Sequence, residues 1–359
     1  MKLKAVHITS TPQKIGLHSL KEVRIMKKLG ILSVIVALTA GVLFSVSCNS
    51  CQSNKQVAVT VPYIRQSPAF NADSAYRFVE QQVAFGPRVP GTEAHSDCGD
   101  YLSGKLTQYG AQVLQQRADI THYNGRNLPV RNIIGSYHPE KEKRVLLFAH
   151  WDSRPYADEE SDEERQRQPI AGADDGASGV GVLLEIARQL QQQPVNVGVD
   201  IIFFDLEDWG QPSFDTQFVE GDWWCLGSQY WAAHPHKENY KAAYGILLDM
   251  VGSTNATFMK EEYSVQYASS VVEKVWSTAA RLGYGSYFLS QRGGYITDDH
   301  LPVNKQMRAP SINIINLKRD SRTGFAPHWH TLNDDMRNID RNTLRAAGQT
   351  VMEVIYLER

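Results

Sequence analysis

Apolar residues follow two rhythms along this chain. Unbroken runs appear in VRNIIGSY (130–137), RVLLFAH (144–150), NVGVDIIFFDLED (196–208), AAYGILLDMVGS (242–253) and APSINIINL (309–317). Short unbroken runs of this kind predict strands buried on both faces of a sheet. Between them the apolar positions space out to a helical period. This predicts helices over 71–85, with Asn71 or Asp73 as cap, over 96–110, closed by Gly110, and over 178–193, 269–283 and 342–359. Strands alternating with helices predict an α/β domain around a mostly parallel sheet.

The polar residues that close the runs are not ordinary turn formers. RVLLFA ends in His150 and Asp152, DIIFF in Asp205, Glu207 and Asp208, and GILL in Asp249, while GADDGASG ahead of the long helix carries Asp174 and Asp175. Open parallel sheets bind ligands outside the carboxyl ends of their strands, so these groups are expected to converge. Several carboxylates and a histidine at such an edge have the makings of a zinc site with oxygen and nitrogen ligands. The adjacent pair Glu207-Asp208 suits a division of labour, with one side chain on metal and its neighbour free as a base. A further ligand is expected from PHWHTLNDD, where His328 and His330 flank Trp329 and either could bind. The acidic run YADEESDEERQRQP (156–169) reads as a solvated loop without a role.

The remaining composition narrows the setting. The chain has 359 residues and a formal net charge of -2, which gives no reason to expect a nucleic-acid partner. Four cysteines are too few for a disulfide scaffold. From Met26 the sequence MKKLGILSVIVALTAGVLFSVSC reads as a basic region, an apolar region and a processing site ending at Cys48. It resembles a bacterial lipoprotein signal, with Cys48 as the lipidated residue. The expected organisation is a leader over 1–48 (start at Met26), a flexible tether over 49–68 and a single catalytic domain over 69–359. The expected location is the cell envelope, exported and facing the periplasm, with the lipid as the only membrane contact. No apolar stretch in the mature part argues for an obligate partner, and a monomer is expected.

AHWDS, GADDGASG, FFDLED, LLDMVGS, TDDHLP and HWHTLND stand in the order and approximate spacing of the zinc-dependent exopeptidase-like (M28) superfamily, which the chain resembles from about residue 70 onward. The resemblance implies a three-layer α/β/α fold with a mixed, mostly parallel sheet. It implies one zinc per chain, held by Asp175, Asp208 and His330, with Glu207 as general base. His150 and Asp249 fall where aminopeptidases of the superfamily bind a second zinc. Asp152 is expected to orient His150, and Asp205 to be structural. Asp298 in TDDHLP, where the peptidases usually carry serine, and Trp329 before His330 make the chain more similar to the glutaminyl cyclases. By that likeness Glu207, Asp249 and Asp298 are catalytic, Trp329 and Trp209 contact substrate, and the reaction converts N-terminal glutamine of exported peptides to pyroglutamate with loss of ammonia. The alternative is a zinc aminopeptidase of the cell envelope. Asp208, Asn313 and segment 317–327 depart from the animal cyclases, which implies a bacterial branch with a rebuilt hydrogen-bond network and a changed pocket rim.

Overall fold

Four strands of this protein are buried at every position, and the computed structural model, which describes residues 62–359, covers both their faces with helices. In chain order the elements are α1 (Ala72–Ala84), α2 (Glu93–Gln108), β1 (Gln112–Thr121), β2 (Asn127–Tyr137), β3 (Arg144–His150), α3 (Glu163–Gln166), α4 (Ala177–Gln192), β4 (Gly198–Phe204) and α5 (Leu226–Ala233). They continue with β5 (Tyr244–Asp249), β6 (Phe258–Lys260), α6 (Glu262–Arg281), β7 (Phe288–Arg292), α7 (His300–Pro302), β8 (Ser311–Ile315) and α8 (Arg341–Tyr356). The main sheet has the order β1-β2-β4-β3-β5-β8. Strands β4, β3, β5 and β8 run parallel, while β2 is antiparallel to both β1 and β4. Strands β6 and β7 form a separate parallel pair.

Alternation along each strand builds the three layers. Val145, Leu147 and Ala149 of β3 face the larger core, with Ile201 and Phe203 of β4, beneath α1, α2, α4, α6 and α8. Leu146 and Phe148 face the other way, with Ile202 and Phe204, beneath Trp231 of α5 and Val303. Fully burying one such aromatic is worth about 1.5–3 kcal/mol relative to leaving it exposed.

Strand register brings the carboxyl ends level. His150 pairs with Phe204, and Asp249 with Ile315, so strands β3, β4, β5 and β8 end side by side. Every loop leaving this edge starts from a rigid, buried base.

Helix α1 is capped as its sequence predicts, the Asn71 side chain accepting from the Ser74 amide. Strand β1 had no clear apolar signal, because it is a sheet edge whose residues are alternately exposed and half-buried. The expected tether over 49–68 is corrected at its C-terminal end. Residues 63–67 dock onto α8, with Tyr63 Oη donating to Glu353 Oε1 at 2.5 Å and Ser67 Oγ to Oε2 at 2.6 Å. These residues belong to the same compact unit as the domain, Pro62–Arg359. The leader, Cys48 and Cys51 lie outside the described residues. Among the described residues, no helix is long and apolar enough to cross a membrane, and both cysteines, Cys98 and Cys225, are free.

Candidate active site

The turn that follows β4 is held by two buried carboxylates. Asp205 accepts from the Arg131 amide at 2.7 Å and lies 3.0 Å from His95 Nε2, tying the strand end to β2 and α2. Asp152, just beyond β3, accepts the amides of Glu207 at 3.1 Å and Asp208 at 3.3 Å. Leu206 between them has φ +54°, a left-handed backbone uncommon outside glycine. That conformation lets Glu207 and Asp208 leave a single turn in different directions.

Asp208 meets Asp175, from the loop ahead of α4, and His330. One ligand-capable atom of each lies within 4.8 Å of the others, and all three are buried. His330 Nε2 is 3.3 Å from Asp208 Oδ1 and 3.7 Å from Asp175 Oδ2. Its other ring nitrogen, Nδ1, is 3.2 Å from Asp158 Oδ1, and Asp158 is held by Arg154 through contacts of 2.7 and 2.8 Å. Asp208 Oδ2 is buried with no hydrogen-bond partner. A buried carboxylate oxygen without a donor is costly, and a cation at the meeting point would satisfy it. Two carboxylates and an imidazole whose second nitrogen faces a carboxylate form a donor set that fits zinc. A second set shares Asp175: His150 Nε2 lies 3.0 Å from Asp175 Oδ1 and 3.3 Å from Asp249 Oδ1.

Beside these donors stands a group of carboxyls with few partners of opposite charge. Burial pushes Glu207 well above the usual carboxylate range; His150 opposes that, while Asp298, Asp208 and Asp299 reinforce it. Burial likewise raises Asp298, with Asp249 and Asp299 adding to the effect. Burial brings Asp249 up to about 6 and Asp299 up to about 7. Such a cluster holds protons near neutral pH, because its members cannot all ionise together. Asn313 donates to Asp298 Oδ2 at 2.6 Å. Of these groups Glu207, Asp249 and Asp298 line a cavity of about 400 Å³ walled by Trp224, Trp329, Phe325, Ile296 and Tyr295.

The profile of Peptidase family M28 matches residues 132–355, more than half of the chain. The chain belongs to peptidase family M28. The solved structure of a Zn-dependent exopeptidase from Parabacteroides distasonis ATCC 8503 is similar to this chain at 60% identity and TM-score 0.80, covering 81% of this chain and 99% of its own. Tannerella forsythia glutaminyl cyclase is similar at 59% identity and TM-score 0.80, over 81% of this chain and 100% of that one. Aminopeptidase YwaD of Bacillus subtilis (strain 168) is 28% identical over 288 residues, 78% of this chain; the match spans 55% of that enzyme's length.

Within this M28 site the structure brings together Asp175, Asp208, His330, Glu207, Asp249, Asp298, His150 and Trp329. Trp329 stacks on the His330 ring at 3.7 Å between centroids. Other expectations are corrected. Trp209 does not border the cavity: it is 3% exposed and packs among Leu128, Val130, Leu206 and Leu226. Trp224 supplies that wall instead, and Gly210 makes room for it, since a Cβ there would lie 1.8 Å from the indole. Asp152 is 3.5 Å from His150 Nδ1, but its hydrogen bonds go to the Glu207 and Asp208 amides, so it shapes the turn more than the imidazole. His328 turns away to Asp174 Oδ2 at 3.2 Å. The run 156–169 is not all solvated, because Asp158 within it is 6% exposed and faces His330. Thr323 and Phe325, from the rim segment 317–327, do line the cavity.

Proposed function

We propose that this M28 protein is a glutaminyl-peptide cyclotransferase, converting N-terminal glutamine of peptides and proteins to pyroglutamate with release of ammonia. The observation that carries it is the placing of Glu207 and Asp298, with ligand-capable atoms within 4.8 Å of each other, on the floor of a small cavity walled by tryptophans. The likeness to Tannerella forsythia glutaminyl cyclase along that enzyme's whole length supports the same reading.

In this reaction the α-amino nitrogen attacks the side-chain amide carbon of the same residue. The N–C bond of the lactam forms, the bond to the amide nitrogen breaks, and that nitrogen leaves as ammonia. Both reacting groups belong to one residue, so the protein must fold the side chain back rather than recruit water. Trp224, Trp329 and Ile296 leave room for a compact, curled side chain. Glu207, raised by burial, accepts the proton from the amine and returns it to the departing nitrogen. Asp298, whose charge acts on Glu207, and Asp249, whose charge acts on Asp298, hydrogen-bond the amide as it leaves. One zinc per chain, held by Asp175, Asp208 and His330, supplies Lewis acidity toward the amide oxygen when bound.

A Gln-Xaa peptide and a Leu-Xaa peptide, followed by mass spectrometry, test this. The expected result is loss of one ammonia from the first and no change in the second. Release of free leucine, with the glutamine peptide uncyclised, would instead establish an aminopeptidase. The second donor set of His150, Asp175 and Asp249 favours that reading and predicts two tightly held zinc ions. We further propose, from the lipoprotein-like leader, that the enzyme is exported to the cell envelope, anchored at Cys48 and facing the periplasm, and, from the lack of an apolar stretch calling for a partner, that it is a monomer. Metabolic labelling with a lipid precursor should mark the wild type and leave Cys48→Ala unmarked.

A further inference from the structure

Glu207 is placed as a proton carrier, and a proton carrier must keep its carboxyl aimed along one line while its charge changes. Among the described residues, one side chain donates to it: Cys225 Sγ lies 3.2 Å from Glu207 Oε1. The same two residues are tied a second time, since the Cys225 amide donates to the Glu207 carbonyl at 2.9 Å. Cys225 sits at φ +58°, a left-handed conformation that favours glycine, and it immediately precedes α5. A buried cysteine there has no cap to make and no disulfide partner. Its side chain packs no apolar cluster; what it reaches is the carboxylate. Asp298 completes a triangle with them, each offering an atom within 4.8 Å of the others.

From this geometry we infer that Cys225 is a positioning residue for the proton carrier: its thiol hydrogen-bonds Glu207 Oε1 and leaves the other oxygen directed to substrate. Burial and the surrounding carboxylates hold the thiol in its protonated form, so it stays a donor. A thiol is a weak donor. It fixes the direction of the carboxyl without binding it so strongly that proton transfer is opposed. The inference rests on Glu207 as general base.

The test has a spectroscopic arm and a kinetic arm, both on the full chain. The S–H stretching band of Cys225 is isolated as the infrared difference between wild type and Cys225→Ser. It should lie below the frequency of an unbonded thiol and move toward it in Glu207→Gln. A band at the unbonded frequency in wild type would overturn the inference, whichever reaction the protein catalyses. In the kinetic arm Cys225→Ala should lose about two- to fivefold in kcat with KM and zinc content unchanged, the low end of the range for one hydrogen bond felt in the transition state. Cys225→Ser, which restores a donor, should recover most of it. Equal losses in both variants, or wild-type kcat in Cys225→Ala, would overturn the inference. Failure of the wild type to release ammonia from the glutamine peptide would sink the cyclase reading alone, because the infrared arm still judges the thiol contact.

Discussion

Asp158→Asn isolates what a single outlying carboxylate contributes to metal binding. In the wild type its Oδ1 faces His330 Nδ1 at 3.2 Å, and both its oxygens are held by Arg154, at 2.7 and 2.8 Å. Asparagine keeps the shape and one acceptor oxygen but removes the charge. Two losses of different kinds are expected. Carboxylates behind a ligating histidine typically set metal affinity by 10- to 100-fold, or about 1.4–2.7 kcal/mol. Arg154 is 1% exposed, so part of its charge becomes uncompensated. Breaking a buried pair costs about 3–5 kcal/mol, and the low end applies because Arg154 keeps its 3.0 Å bond to the Asp208 carbonyl. Competition against a chromophoric chelator measures the first loss, and urea unfolding of the metal-free protein measures the second. The expected result is a zinc Kd raised at least tenfold with turnover at saturating zinc close to wild type. A Kd within twofold of wild type would refute the argument, since His330 would then be oriented by its backbone and Trp329 alone.

Glu207→Gln should retain zinc and lose about 10²- to 10⁴-fold in turnover, whereas His330→Ala should lose zinc as well; metal analysis beside a cyclisation assay separates the two. Gly210→Ala should displace Trp224 and raise KM by about tenfold with zinc content unchanged; a crystal structure with the indole in its original place would contradict this. Asp299 holds its proton up to about 7 in the folded protein, above its ordinary value, so the unfolded chain releases that proton first as pH rises. Its contribution to stability is therefore present at acid pH and is lost between about pH 4 and 7. Asp299→Asn should flatten that decline in metal-free protein, and an unchanged pH profile of urea midpoints would count against it.

The fold was legible where burial wrote itself into composition. Strands β3, β4 and β5 are buried at every position, so their sequences are apolar apart from a few paired polar residues such as Arg144 and Asp200. Strand β1 lies at an edge where polar residues are tolerated, so its sequence is silent. The acids at the strand ends were legible because charges directly after a buried run have no cheap structural explanation. Asp158 was not, nor was the choice of Trp224 over Trp209, for one reason. Their roles arise when distant loops fold across the strand ends, and local sequence does not record which loop lands where. Trp209 illustrates the difference: it is nearer the acidic pair in the chain, yet it points into the core. His330 and Leu206 carry a conformation usually assigned to glycine, and no periodicity reveals that.

That conformation at Leu206, Met250 and His330 sets the geometry of the site against the stability of the backbone that carries it. Each left-handed non-glycine residue costs on the order of 1 kcal/mol. Glycine at any of them would relieve the local strain, and Leu206→Gly, which also empties buried space, would then swing Glu207 through a wider arc. A laboratory selecting only for heat resistance would be drawn to such backbone relief and would lose turnover along the way. Conversely, stabilising changes far from the strand ends, in α1 or α8, carry no such penalty, so the tolerance of this scaffold for improvement is graded by distance from these left-handed residues, Cys225 included.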